Sequence, residues 1–203
     1  MKNIWLSADY HLGENRFDLM GRPFKSTEEH DNTIINNHNL LVDPDDMVIV
    51  VGDAVYQKSP ESLHLIGKMN GIKILIRGNH DVVFTDEQLK QYFHTIIKDG
   101  GGMEMSIGGV DCWLTHYPST GRPDRFNIVG HIHSAWKFQL NSLNVGVDVN
   151  HWRPVNSTKI PFFLNTIKDH YDDDVWVAYN PINQGYHKNG RGKNGSYFKK
   201  KNK

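Results

Sequence analysis

Short apolar blocks alternate with helix signals through the first half of the chain. Residues 3–7, 47–51 and 72–76 are mostly apolar runs of strand length, the pattern of strands buried on both faces. Helix signals fill the segments after them, so strand and helix alternate three times. This alternation predicts parallel strands joined by right-handed crossovers.

Capping residues mark where the three helices begin. Ser26 or Thr27 can cap the first, and two acidic residues follow in its first turn. A Ser-Pro pair at 59–60 opens the second. Thr85 with Gln88 forms a capping-box pattern for a third helix over 86–92.

The second half of the chain indicates antiparallel pairing. Residues 103–107 and 110–114 are strand-like and are separated by a Gly-Gly dipeptide, which is a two-residue hairpin signal. Further strands are predicted over 127–129 and 143–147. The expected fold is therefore α/β, with two stacked mixed sheets and helices outside them.

Length and composition favour one folded domain followed by a basic tail. The 203 residues are 38% hydrophobic and contain no apolar stretch of membrane-spanning length. The apolar block near the amino terminus is too short for a signal-peptide core, and the single cysteine, Cys112, cannot form an internal disulfide. We therefore expect a cytoplasmic protein, with residues 1–180 as the domain and 181–203 as the tail.

Charge is distributed unevenly along the chain although it sums to zero. Seven basic residues and no acidic residue follow Asp174, so residues 1–174 carry a net negative charge that bound cations would offset. The tail is rich in Asn, Gly and Lys and is expected to be mobile. Its lysines could bind nucleic acid, but we favour a solvated tail, because lysine-rich termini are common without a partner.

Polar groups that suit a metal site stand where predicted strands end. Ligands collect at the carboxyl ends of strands in open α/β sheets, so side chains far apart in sequence can converge there. The groups are Asp9-Tyr10-His11, Gly52-Asp53, Gly78-Asn79-His80-Asp81, His116 and Gly130-His131-Ile132-His133. Their carboxylates and imidazoles suit divalent transition metals.

The residue types fit a site for two cations. Asp9 and His11 are two positions apart and would face one ion together in an extended strand. Asp53 has two carboxylate oxygens and could bridge two ions, while Asn79 offers an amide oxygen without adding charge that repels phosphate. Each motif alone is usually a turn or a cap, so the prediction depends on the ordered set.

The ordered set resembles the calcineurin-like metallophosphoesterase superfamily, whose pattern runs Asp-x-His, Gly-Asp, Gly-Asn-His-Asp/Glu, His and Gly-His-x-His. Similarity to a subgroup of small bacterial and phage phosphoesterases lies in Gly21-Arg22-Pro23-Phe24, Leu75 to Asp81, Thr115-His116-Tyr117-Pro118 and Asn144 to Asp148. The resemblance covers residues 3–160 and implies a four-layer α/β/β/α sandwich of two mixed sheets flanked by helices.

The resemblance also implies a role for each motif residue. The implied metal ligands are Asp9, His11 and His133 for one ion, Asn79, His116 and His131 for the other, and Asp53 for both. His80 would face the phosphate as a catalytic residue, and Asp81 would orient it.

Residues outside the motifs give further expectations. Arg22 is the arginine best suited to clamp a substrate phosphate. Glu14 stands where the subgroup has a histidine and would place a carboxylate near the pocket mouth. Tyr56 stands where the superfamily often has an acid, so one support of the metal ligands is expected to be missing. Histidines without motif partners, such as His30 and His38, are expected to be packed or surface residues.

The predicted function is hydrolysis of a phosphomonoester or phosphodiester by attack of a hydroxide that bridges two divalent metal ions. Manganese is the expected metal, and iron, zinc, cobalt and nickel suit the same ligands. The expected partner is a small phosphorylated substrate such as a nucleotide, with no membrane involved. One alternative is a metal-dependent nuclease. The other is a non-catalytic binding or scaffold module, and the intact ligand set argues against that second alternative.

Overall fold

The structure, a computed structural model, describes residues 2–139 and 141–170. The elements in these ranges are β1 (Ile4–Ser7), α1 (Phe17–Met20), α2 (Thr27–Asn39), β2 (Met47–Val50), β3 (Ile72–Ile76), α3 (Asp86–Leu89), β4 (Thr95–Ile97), β5 (Gly102–Ile107), β6 (Val110–Thr115), β7 (Phe126–Val129), β8 (Phe138–Gln139), β9 (Ser142–Asn144), β10 (Val155–Asn156) and α4 (Ile160–His170). Short 3₁₀ helices cover Pro60–Lys68, Asp81–Val83, Pro118–Thr120, Val147–Val149 and Ser157–Lys159. None of these helices is long and apolar enough to cross a membrane. The domain boundary predicted at 180 and the predicted tail lie outside the described residues.

The first sheet has the strand order β10-β1-β2-β3-β4. Strands β1 to β4 are parallel, and β10 pairs antiparallel with β1. The chain crosses from β1 to β2 through α2 and from β2 to β3 through the 3₁₀ helix Pro60–Lys68. Because β1 to β4 run in one direction, their carboxyl ends meet at the same edge of the sheet.

The second sheet has the order β5-β6-β7-β9-β8. Strands β5 and β6 form the predicted hairpin, and Gly108 and Gly109 at its turn have φ values of 56° and 82°, which favour glycine. Strands β6, β7 and β9 are parallel, so their carboxyl ends also share an edge. The two edges meet at Val145, which donates to Val129 O at 2.9 Å and accepts from Ala8 N at 3.1 Å.

Apolar side chains fill two layers. The layer between the sheets includes Leu6, Ile49, Leu114 and Ile128. The layer between the first sheet and its helices includes Val48, Val50, Ile34, Ile66 and Leu89. Full burial of such a side chain contributes about 1.5–3 kcal/mol. Helix α4 follows β10 along the chain and packs against the second sheet, where its Phe163 ring lies 5.5 Å from that of Phe138 in β8. The predicted α/β/β/α sandwich of two mixed sheets flanked by helices is confirmed.

Three elements differ from those predicted, one in helix type and two in where they end. The second predicted helix is a 3₁₀ helix, and nothing in its sequence explains that choice. The third has the predicted capping box, but it ends at Leu89 instead of residue 92, and the N–H of Tyr92 makes a tighter i to i−3 bond to Leu89 O. Strand β9 ends at Asn144 rather than at 147. The Asn144 side chain bonds His133 O, Trp136 O and Gly146 N, which turns the chain toward the first sheet.

Candidate metal centre

The candidate ligands lie in loops that leave the carboxyl ends of five strands. Asp9 and His11 follow β1, Asp53 follows β2, Asn79 follows β3, His116 follows β6, and His131 and His133 follow β7. Both sheets therefore contribute to one site at the edge where they meet.

Five of these residues have a left-handed backbone. The φ value is 58° at Asp9, 49° at His11, 55° at Asp53, 75° at His131 and 46° at His133. Residues other than glycine rarely adopt this conformation, which costs about 1–3 kcal/mol each and persists only where surrounding bonds hold it. Here Asp9 N donates to Gly52 O and His11 N to Asp53 O, both at 3.0 Å.

The first group of ligands consists of Asp9, His11 and His133. One donor atom from each lies within 4.8 Å of the others, close enough to share a cation. Asp9 and His11 are almost completely buried. The Asp9 carboxylate also accepts the backbone N–H of His131 at 3.0 Å, which ties the β1 loop to the β7 loop.

The second group consists of Asp53, His116 and His131, whose donor atoms also lie within 4.8 Å of one another. Asn79 points its amide oxygen into this group, 3.3 Å from His116 Nε2 and 3.0 Å from His131 Nδ1. The amide thus adds an oxygen donor beside two imidazoles and a carboxylate.

Asp53 joins the two groups. Its Oδ2 lies 3.5 Å from His11 Nε2 and 3.4 Å from His116 Nε2. Its other oxygen, Oδ1, accepts the backbone N–H of His80 at 2.8 Å. One carboxylate oxygen is therefore directed between the first group and the second.

The surroundings of His11 fit a bound cation. Both of its ring nitrogens are buried and make no hydrogen bond to any described residue. A buried polar atom without a partner costs about 1–3 kcal/mol, and a metal ion would satisfy one of these nitrogens. Burial lowers the pKa of His11 well below its ordinary value, which keeps the ring in the neutral form that binds metals.

Close charges alter proton binding in both groups. Burial raises the pKa of Asp9 to about 6. Burial lowers the pKa of His116, but the neighbouring Asp53 carboxylate more than offsets this and raises it to about 9. The site therefore holds protons near neutral pH that divalent cations would displace.

Hydrogen bonds behind the ligands fix two histidine tautomers. His116 Nδ1 donates to Val51 O at 2.8 Å, so Nε2, which lies beside Asp53 and Asn79, is the nitrogen that loses its proton when the ring becomes neutral and binds a metal. His133 Nδ1 lies 3.0 Å from Asp148 Oδ2, a carboxylate–histidine contact of the kind that orients metal ligands. No role was predicted for Asp148, although it ends the segment from Asn144 that carried the resemblance.

The structure corrects the expectation for Arg22. Its guanidinium is buried, and all five N–H groups bond within the protein. Nε and Nη2 donate to Asp148 at 2.9 and 2.8 Å, Nη2 also to Asp9 O at 2.6 Å, and Nη1 to Tyr10 O at 3.0 Å and His30 Nε2 at 2.7 Å. A guanidinium without a free donor cannot clamp a substrate phosphate. Arg22 instead supports Asp148 and the loop after β1.

His30 extends this support. Arginine can only donate, so His30 Nε2 accepts from Arg22 and its Nδ1–H donates to Asp31 at 2.7 Å. Asp31 in turn accepts the N–H of Gly13 at 3.0 and 3.1 Å. His30 is packed, as expected, but it also connects α2 to the loop that carries Asp9 and His11.

A comparison with protein families decides the assignment. The model of the calcineurin-like phosphoesterase family matches residues 2–201. The chain belongs to this family. Members of the calcineurin-like phosphoesterase family are usually phosphoester hydrolases that bind divalent metals, and the Asp and His groups described above could hold them.

Similar proteins come from an archaeon, a phage and a bacterium. An uncharacterized protein of Methanocaldococcus jannaschii is 29% identical over 169 residues, which cover 77% of this chain and 88% of the relative. The gene 66 protein of Mycobacterium phage L5 is 33% identical over 84 residues, 40% of this chain and 41% of that protein. The crystal structure of a protein of unknown function from Aquifex aeolicus has the same fold, with a TM-score of 0.64 at 22% identity over 80% of this chain and all of that one.

His80 lies beside the two candidate ligand groups. Its ring lies 4.4 Å from the His11 ring, and it shares a third donor group with His11 and Asp53. Gln57 N donates to His80 Nδ1 at 3.3 Å, so the proton of the neutral ring is on Nε2. Burial lowers the pKa of His80, which keeps the ring neutral at pH 7.

Asp81 bonds to backbone rather than to the His80 ring. Its carboxylate accepts the N–H groups of Asp53 at 2.8 Å, Ala54 at 3.0 Å and Gly78 at 2.8 Å. Burial, followed by the charge of Asp53, raises the pKa of Asp81 to about 7. Asp81 therefore ties the loops after β2 and β3 together, and it positions His80 through the backbone.

The two departures from the family pattern are both buried. Glu14 accepts hydrogen bonds from its neighbour Arg16. Burial raises the pKa of Glu14, but the Arg16 guanidinium and two backbone N–H groups outweigh it and lower the pKa overall. Tyr56 packs its ring 5.7 Å from the His80 ring. The Glu14 carboxylate therefore stays ionised and is paired with Arg16.

Proposed function

We propose that this protein hydrolyses phosphomonoesters or phosphodiesters with two divalent cations per chain. The observation that carries the proposal is the placement of Asp53 Oδ2, 3.5 Å from His11 Nε2 and 3.4 Å from His116 Nε2. A carboxylate oxygen between two groups of metal donors suits a bridging ligand. Membership of the calcineurin-like phosphoesterase family supports the same class of reaction.

Each ligand group would hold one cation, with Asp53 shared. The first cation would lie among Asp9, His11 and His133, and the second among Asn79, His116 and His131. When bound, two such cations polarise a phosphoryl group and lower the pKa of water toward neutrality. Manganese is the metal that we propose for assay, and iron, zinc, cobalt or nickel suit the same nitrogen and oxygen donors.

The protein's own side chains would complete the chemistry. The Nε2–H of the neutral His80 ring would donate a hydrogen bond to charge that develops on a phosphoryl oxygen, whereas a His80 ring protonated at both nitrogens would be needed to give a proton to the leaving oxygen. Asn79 would bind a cation without adding negative charge that repels the substrate. Val51 O and Asp148 would keep His116 and His133 in the tautomers that leave Nε2 free for metal.

Removal and return of metal test the proposal. Purified protein would be stripped with a chelator and assayed with bis(p-nitrophenyl) phosphate and p-nitrophenyl phosphate before and after addition of Mn²⁺. We expect the stripped protein to be inactive, the activity to return with manganese, and about two ions to bind per chain. Hydrolysis at the original rate by exhaustively stripped protein would disprove the proposed mechanism.

A further inference from the structure

A carboxylate, a guanidinium and an aromatic ring lie together beside His80. Arg16 Nε donates to Glu14 Oε1 and Arg16 Nη2 to Glu14 Oε2, both at 3.1 Å. The guanidinium carbon of Arg16 lies 4.5 Å from the centre of the Tyr56 ring, and that ring lies 5.7 Å from the His80 ring. The Tyr56 ring therefore packs against both the Arg16 guanidinium and the ring of His80, which faces the metal ligands.

The local backbone fixes the pair formed by Glu14 and Arg16. Glu14 Oε1 also accepts the backbone N–H groups of Asn15 at 2.9 Å and Arg16 at 2.8 Å, and Thr27 Oγ1 donates to the Glu14 carbonyl at 2.9 Å. The Glu14 side chain is 0% exposed, whereas that of Arg16 is 43% exposed. A guanidinium already held in one orientation loses little further entropy when it binds a ligand.

The pair leaves one bidentate edge of the Arg16 guanidinium for a ligand. Glu14 occupies the edge formed by Nε and Nη2, so Nη1 and the second hydrogen of Nη2, beside Tyr56, carry the donors that remain for a ligand. Among the described residues, Glu14 is the only acidic side chain within ion-pair distance of Arg16. This second edge matches two oxygens of a phosphate.

We propose that Arg16 binds a second phosphate of the substrate, apart from the phosphoryl group that is hydrolysed. The reacting group would face the metal ligands and His80, whereas Arg16 lies against the Tyr56 ring, which packs beside His80, and would reach the remainder of the substrate. The inference rests on the proposed function and narrows its substrates to esters that carry two phosphates, such as nucleoside bisphosphate esters. Arg16 is then a determinant of specificity.

A matched pair of esters tests this role. Thymidine 5′-(p-nitrophenyl phosphate) and its 3′-phosphorylated counterpart share the reacting group and the leaving group and differ only in the second phosphate. They would be assayed with manganese-loaded wild-type protein and with Arg16→Gln and Arg16→Lys. The control is Arg122→Gln, because Arg122 also lies over an aromatic ring, 3.7 Å from the centre of Trp113, and pairs with a glutamate, Glu104.

We expect wild-type protein to prefer the ester with two phosphates. Loss of a charge-assisted hydrogen bond to phosphate should lower the ratio of kcat/KM for the two esters by about 10–100-fold in Arg16→Gln, mainly through KM. Arg16→Lys should restore only part of the ratio, because lysine lacks the planar fork. Arg122→Gln should leave the ratio unchanged. An unchanged ratio in Arg16→Gln would overturn the inference, and equal losses for both esters would show that Arg16 only supports the loop.

Calorimetry separates this inference from the proposed function. Metal-loaded protein would be titrated with thymidine 3′,5′-bisphosphate and with thymidine 5′-monophosphate. If wild-type protein binds the bisphosphate more tightly than the monophosphate and Arg16→Gln loses this preference, the site is supported even if neither ester is hydrolysed. If wild-type protein shows no preference for the bisphosphate, or if Arg16→Gln keeps it, the site is contradicted. Metal-dependent hydrolysis of the singly phosphorylated ester by wild-type protein bears on the proposed function alone.

Discussion

His80 takes part in the site through both its backbone and its ring. Its N–H donates to Asp53 Oδ1 at 2.8 Å, and its ring lies 4.4 Å from that of His11. A side-chain substitution removes the ring and keeps the N–H. The Asp81 carboxylate also accepts hydrogen bonds from the backbone of Asp53, Ala54 and Gly78. These bonds would hold the loop that carries residue 80 in place when the His80 ring is removed. Catalysis and metal binding can therefore be separated at this one position.

We predict that His80→Ala keeps both metal ions and lowers turnover. Loss of a group that donates to developing charge or to the leaving oxygen typically costs about 10²–10⁴ in rate. Metal analysis and kcat would be compared with those of His94→Ala, which removes an exposed histidine away from the site. Loss of both metals in His80→Ala would instead show that His80 is a ligand or a structural residue.

Leaving-group dependence then identifies what His80 donates. If it protonates the leaving oxygen, the deficit of His80→Ala should be small for p-nitrophenolate and larger for an alkoxide, which needs the proton more. An equal deficit for both leaving groups would point to stabilisation of phosphoryl charge alone.

Arg22 connects three segments of the chain that the sequence separates widely. Its guanidinium bonds the loop after β1 at Asp9 O and Tyr10 O, helix α2 at His30, and the 3₁₀ turn after β9 at Asp148. Local sequence patterns place each segment, but they do not show which donors of a guanidinium are already used. The prediction of a phosphate clamp failed for this reason.

We predict that Arg22→Lys destabilises the fold and weakens metal binding. Lysine has three donors and no planar fork, so at least two of the five acceptors around Arg22 lose their partner, at a cost of about 1–3 kcal/mol each. His133 would lose its oriented carboxylate, so manganese affinity should fall while KM of the metal-saturated enzyme changes little. Urea unfolding, metal titration and KM check these effects. A raised KM with unchanged stability would restore Arg22 as a substrate clamp.

Helix α2 also carries a histidine that should make stability depend on pH. His38 is 1% exposed and lies between the Tyr10 hydroxyl and Asn70 O. Burial lowers its pKa to about 4. Its pKa in the unfolded chain is about 6.5, so the unfolded state binds more protons between these values, and the folded state loses stability as pH falls from about 6.5 to 4.

The expected size of this effect follows from the shift in pKa. His38 should contribute about 3 kcal/mol of stability that is fully present above pH 6.5 and lost by about pH 4. Urea unfolding across this range would compare the wild type with His38→Gln, whose stability should fall less steeply with acid. An identical pH dependence in the two proteins would show that His38 is not a buried neutral histidine.

The parts of the fold and of the candidate site that could be predicted are those that leave a local pattern in the sequence, such as an apolar run or a short motif after it. Apolar runs located β1, β2, β3 and the hairpin, and the motif residues that follow such runs come together at one edge. Short elements were missed, including β4 (Thr95–Ile97) and β10 (Val155–Asn156), because so few residues show no periodicity. The link between Arg22 and Asp148 spans 126 positions, and only the folded chain reveals it.

The candidate metal centre also connects the two halves of the molecule. Asp9, His11, Asp53 and Asn79 leave the first sheet, whereas His116, His131 and His133 leave the second. The sheets share an apolar layer, and Val145 joins them by hydrogen bonds near this edge. Two cations bound here would each take ligands from both sheets, with Asp53 as the group between them.

Low-temperature electron paramagnetic resonance of the manganese-loaded protein tests that bridge most directly. Two Mn²⁺ ions that share the Asp53 carboxylate should give an exchange-coupled spectrum at about two ions per chain. Asp53→Asn should lose the coupling and lower the metal content, whereas Asp111→Asn, which changes an exposed aspartate on β6, should not. A wild-type spectrum of isolated Mn²⁺ ions, or coupling that survives in Asp53→Asn, would contradict a dinuclear centre bridged by Asp53.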